Sequence, residues 1–84
     1  MVVTVKFFAS VREAVGVSSE TLELPAGVGT VGALRSHLAA RGELWRQALG
    51  NPALRMAHNQ QMCGADTAVG DGAEVAFFPP VTGG

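Results

Sequence analysis

The sequence predicts an α+β fold, a mixed sheet with one main helix packed on one face. Three observations point to it. Strand-like segments stand near both ends of the chain, each apolar on one face and polar on the other. A longer stretch between them repeats its apolar residues at helical spacing. Glycine, proline and Asp-Gly signals separate the segments, giving the order strand, strand, helix, short strands, strand.

Residues 2–8 are rich in β-branched and aromatic side chains and read as the first strand. Alternation puts Val3, Val5 and Phe7 on the core face and Thr4, Lys6 and Phe8 on the other. Ser10 is predicted to cap a short helical turn over residues 11–15, which Gly16 ends. Residues 20–24 alternate as a second strand with Leu22 and Leu24 inward, and Pro25 stops it. Thr30 is a cap for the main helix, expected over residues 31–41 with Gly42 as its end signal.

Val31, Leu34 and Leu38 form the apolar stripe of that helix, joined by Ala39. Gly32 sits in its first turn, where it costs up to about 1 kcal/mol relative to alanine. Glu43–Leu49 reads as a second short helix with Leu44, Trp45 and Ala48 as its apolar side. Residues 54–59 and 61–63 read as short strands, and Asp71-Gly72 as a turn. Residues 73–78 are the last strand, with Val75 and Phe77 on one face and Glu74, Ala76 and Phe78 on the other.

This arrangement resembles the β-grasp fold of ubiquitin-like proteins. The resemblance implies that the first and last strands lie parallel at the centre of the sheet. Phe8 and Phe78 would then stand side by side on the outward face, as an aromatic docking patch. The β-grasp domain is expected over residues 1–78 and an extended C-terminal Gly-Gly arm over residues 79–84.

Proline fixes φ and has no N–H for a sheet, so Pro79 and Pro80 should carry the arm away from the last strand. Gly83 and Gly84 have no side chains and can enter a channel too narrow for other residues. From Phe78 to Gly84 is six peptide steps, a reach of roughly 20 Å at about 3.3 Å each. The strongly apolar strand runs straight into this arm, unlike a fused expression scar.

Composition narrows the function. The chain has 84 residues, enough for one domain with a modest core. It is 48% hydrophobic and 15% charged with net charge −1, which opposes disorder. Its six Lys and Arg are scattered, so neither nucleic acid nor an anionic membrane is an expected partner. The apolar start is interrupted by Thr4 and Lys6 and is too short for a signal peptide or membrane span. Cys63 is the single cysteine, which excludes an internal disulfide and suits a reducing cytoplasm.

An enzyme would need a base, a nucleophile or a metal site. His37 reads as a solvent-facing helix residue, His58 as a satisfied polar side chain on a strand, and Cys63 as a small buried hydrophobe. Gly27 and Gly29 lack the rest of a phosphate-binding fingerprint and read as a turn. No metal-ligand spacing is present, and no permanently bound cofactor is expected. The arm permits other chemistry. A carboxylate resists attack until another protein converts it to an acyl-adenylate. A sulfur donor can then displace AMP and leave a thiocarboxylate on a long tether.

Residues 71–84, with their Phe-Phe-Pro-Pro-Val-Thr-Gly-Gly ending, resemble the MoaD-type sulfur carriers, the small subunits of molybdopterin synthase. Residues 5–13 and 30–35 are similar to that family too. The resemblance implies that a ubiquitin-activating-type enzyme consumes ATP to adenylate Gly84 and that a sulfurtransferase supplies sulfur. Gly84 would carry the sulfur, Gly83 and Thr82 would thread the large subunit's channel, and Phe8, Phe78, Pro80 and Val81 would contact partners. Sulfur would pass to cyclic pyranopterin monophosphate, forming molybdopterin in a heterotetramer of two small and two large subunits. Gly32 and His58 depart from the family pattern. The alternatives are the thiamine-type sulfur carrier, which the residues before the glycines disfavour, a ubiquitin-like protein modifier, and an interaction domain with an inert tail.

Overall fold

The computed structural model describes residues 1–80. Five strands form one mixed sheet: β1 (Val2–Phe7), β2 (Ser19–Glu23), β3 (Arg55–His58), β4 (Gln61–Met62) and β5 (Glu74–Phe78), in the spatial order β2-β1-β5-β3-β4. β1 and β5 run parallel through the centre, in the register Val5↔Val75 and Phe7↔Phe77. The other pairs are antiparallel. Two of these joins need little chain: β1 and β2 are linked through a short helix, β3 and β4 through a two-residue turn. Asn59 and Gln60 both take positive φ in that turn, which matches the twist of the flanking strands.

Three helices cover one face: α1 (Ala9–Val15), α2 (Val31–Ala39) and α3 (Glu43–Leu49). Val31, Leu34 and Leu38 of α2 are fully buried against Val3, Val5, Phe7, Val75 and Phe77 of the two central strands. Val11 of α1 and Leu49 of α3 complete the same core. Burying each large side chain contributes about 1.5–3 kcal/mol, so the central parallel pair with α2 across it is the main source of stability.

The start of α2 satisfies all its free N–H groups. Val31 and Gly32 donate to the carbonyls of Thr67 and Ala65, at 2.9 Å each. Ala33 donates to the Thr30 hydroxyl at 3.1 Å and Leu34 to the Thr30 carbonyl at 2.9 Å. At the far end of α3, Arg35 donates from Nε to the Leu49 carbonyl (2.5 Å) and from a terminal nitrogen to that of Asn51 (2.7 Å). A cation on terminal carbonyls favours that helix end and ties α2 to α3.

Several sequence expectations are corrected. Ser10 does not cap α1: it lies inside the helix, and Phe8 holds the cap position without a side-chain hydrogen bond. α2 ends at Ala39, and Gly42 precedes α3 instead of closing α2. Leu44 is 58% exposed, while Trp45, Ala48 and Leu49 face inward, because α3 is rotated to pack on α1 and the core. Phe8 lies just past β1 instead of inside it.

Candidate functional site

The site lies where β1 and β5 end together. Phe8 donates its N–H to the Phe77 carbonyl at 3.2 Å, one step past the last ladder pair. Ala9 then takes φ 51°, a left-handed conformation that turns the chain into α1. β5 stops at Phe78, because Pro79 has no N–H with which to extend the ladder.

Phe8, still extended at φ −125° and ψ 153°, carries its ring to the face opposite Phe7, away from the helices. It is 46% exposed. Phe78 lies on the same face and is half-buried, as are Pro79 and Pro80. The predicted site residues Phe8, Phe78 and Pro80 therefore gather at one end of the open sheet face. Val81, Thr82, Gly83 and Gly84, and with them most of the expected arm, lie outside the described residues.

The sequence reading missed other members of this face. Register sets Arg55 opposite Phe78, Ala57 opposite Ala76, and Met62 opposite Ala57. Met62 is 64% exposed, so an apolar strip runs from Phe8 and Phe78 across Ala76 and Ala57 to Met62. Lys6 and Glu74 pair beside it at 3.5 Å, joining β1 to β5. Carrying the strand alternation of residues 55–58 through the two-residue turn would have found Met62.

Elsewhere, ionisable groups serve packing. Arg41 binds the Glu20 carboxylate with two nitrogens and lies 4.7 Å above the Trp45 ring. Trp45 meets Phe7 edge-on at 5.6 Å, and Phe7 stacks with Phe77 at 6.3 Å. The hydrogen bonds from Arg41 hold the Glu20 carboxyl below its usual range and raise the guanidinium. Hydrogen bonds from Arg46, aided by Gln47, likewise lower Glu43 on α3.

His37 is exposed on α2, and Cys63 is half-buried against the core. His58 is not the satisfied polar residue expected, since its Nε2 is buried without a hydrogen-bond partner among the described residues. Those residues contain no group of three or more His, Cys, Asp or Glu able to hold a metal ion. No described helix is long and apolar enough to cross a membrane.

The profile of the ThiS family matches residues 5–84, from the first strand to the last glycine. The chain belongs to that family. Family membership thus spans both the sheet and the Gly-Gly end. The chain is 49% identical over 82 residues to the molybdopterin synthase sulfur carrier subunit of Escherichia coli (strain K12), covering 98% of this chain and 99% of that one. It is 45% identical over 80 residues to the protein of the same name from Haemophilus influenzae, covering 95% and 96%. The fold matches a chain in the complex of subunits 1 and 2 of molybdopterin-converting factor from Helicobacter pylori 26695. That match has a TM-score of 0.70 and 26% identity, and covers all of both chains. The β-grasp architecture expected of the family is the one observed.

Proposed function

We propose that this chain is the sulfur carrier subunit of molybdopterin synthase and that Gly84 is its carrier residue. The near-full-length identity to the Escherichia coli sulfur carrier subunit carries this reading, and the family match over residues 5–84 takes in the arm as well as the body. In the cycle, a Gly84 carboxylate oxygen attacks the α-phosphorus of ATP in an adenylating enzyme, releasing pyrophosphate. Persulfide sulfur from a sulfurtransferase displaces AMP, and reduction of the acyl disulfide by a thiol leaves the thiocarboxylate. The arm then enters the large subunit and gives its sulfur to cyclic pyranopterin monophosphate.

The body supplies no catalyst in this scheme. It is a rigid handle whose open face, centred on Phe8 and Phe78, docks on partners while Thr82 and Gly83 thread the channel and Pro80 and Val81 line its entrance. Rigid docking turns delivery of the sulfur into an effectively intramolecular step. Pairing of the two subunits in the Helicobacter pylori structure supports a large-subunit partner, and the assembly we propose is a heterotetramer with two copies of each chain.

Deleting Gly84, or adding one residue after it, is expected to abolish sulfur transfer and leave the fold unchanged. Intact-mass measurement after incubation with ATP, a sulfur source and the activating enzyme checks this. The wild type should gain the mass difference between sulfur and oxygen, and no gain would remove the proposal. Isopeptide-linked adducts on other proteins would favour a protein modifier instead.

A further inference from the structure

We propose that the groove between α1 and α3 is a second docking element, which receives one apolar side chain of the large subunit as that subunit closes around the arm. This rests on the function proposed above. The groove, of about 230 Å³, is walled by Val11 and Ala14 of α1 and Ala48 of α3, with Leu54 and Pro79 completing it. Val11 and Leu54 are buried, and Ala14, Ala48 and Pro79 are half-buried. Two alanines on adjacent helices leave room that larger side chains would fill.

Ser10, Gln47 and Asn51 stand at its lip. The Gln47 amide donates to Glu43 at 3.3 Å, and the Asn51 side-chain oxygen accepts from Ala53 N–H at 2.9 Å. The groove thus offers a ligand an apolar wall with a polar rim.

The length of the arm decides what covers it. The proposed carrier Gly84 lies four residues past Pro80, which at about 3.3 Å per residue is at most roughly 13 Å. A protein that holds the terminal carboxyl group in its own catalytic pocket must bring its surface that close to Pro80. Pro79 is itself part of the groove. The groove therefore falls beneath the receiving protein, on the other side of the arm's root from Phe8 and Phe78. An unfilled groove there would forfeit dispersion contacts that a seated apolar side chain regains. Among the proposed partners, the large subunit is the one found paired with a structural relative of this chain.

Two variants close the groove differently. Ala48→Leu fills it from within, and Gln47→Trp covers it from an exposed position that cannot disturb the core. Affinity for purified large subunit is measured by calorimetry, thermal midpoint by circular dichroism, and adenylation by ATP–pyrophosphate exchange. Each folded variant is expected to bind the large subunit at least about tenfold more weakly, the loss of one apolar anchor, with a smaller effect on adenylation. Wild-type affinity in either folded variant overturns the inference, as does an equal loss of adenylation. If Ala48→Leu does not fold, Gln47→Trp decides. Failure of the wild type itself to bind the large subunit would instead overturn the proposed function, and the groove's role with it.

Discussion

Gly32 occupies a helical position that propensity alone would give to alanine. A Cβ there would lie 2.8 Å from the Ala65 Cβ and 3.0 Å from the Ala65 carbonyl oxygen, the same oxygen that accepts the Gly32 N–H. The loop approaches closely because it satisfies the first N–H groups of α2. Gly32→Ala would recover up to about 1 kcal/mol of helix propensity. It would also force the loop away, at a cost of about 1–3 kcal/mol. We expect a net loss near 1 kcal/mol, seen as a fall in urea midpoint, whereas a gain would show that the loop yields freely. Local propensity counts the glycine as a cost, because its neighbour Ala65 lies more than thirty positions away in the chain. His58 departs from expectation for the same reason. Its side of the strand follows from the pairing with Val75, which local pattern does not contain.

At the scale of elements, the Arg41 guanidinium joins the end of α2 to β2 through Glu20 and to α3 through Trp45. Hydrogen bonding from Arg41 lowers the Glu20 carboxyl in the folded state, so the unfolded chain binds that proton more readily. The pair's stabilisation is therefore complete above the unfolded carboxylate range and is lost as pH falls through the lowered folded value. Glu20→Gln should cost up to about 1 kcal/mol at neutral pH, as expected of a pair still partly in water. The difference from wild type should shrink at acid pH and vanish once the pH is below the lowered folded value of the carboxyl, where both side chains are neutral. Thermal midpoints at the two pH values measure it, and an equal difference at both would mean that the carboxylate is unpaired in solution. The helices and strands themselves were legible, since Glu43–Leu49 and the Asp71-Gly72 turn lie where local signals put them. Helix ends were less so. Gly42 can end one helix or begin the next, and packing chose the second.

For the molecule as a whole, the sheet has one packed face and one presenting face. Phe8 keeps nearly half its surface in water and so contributes little to folding. Phe8→Ala and Phe78→Ala are each expected to weaken binding to the large subunit about tenfold or more. The thermal midpoint should move little, least for Phe8. Calorimetric titration beside a melting curve separates the two effects, and a large fall in midpoint with unchanged affinity would place these rings in the core.

By itself, the sequence determined the α+β class, the inward faces of β1, α2 and β5, and a Pro-Pro-Val-Thr-Gly-Gly segment after the last strand. These depend on periodicity and on the fixed conformational limits of proline and glycine, which act between near neighbours. Only the tertiary structure decided that Met62 joins Phe8 and Phe78 on one strip, that Gly32 must be small, and that a groove opens beside Pro79. Each of those depends on which distant residues meet, and strand register and helix packing set that once the whole chain has collapsed onto one core.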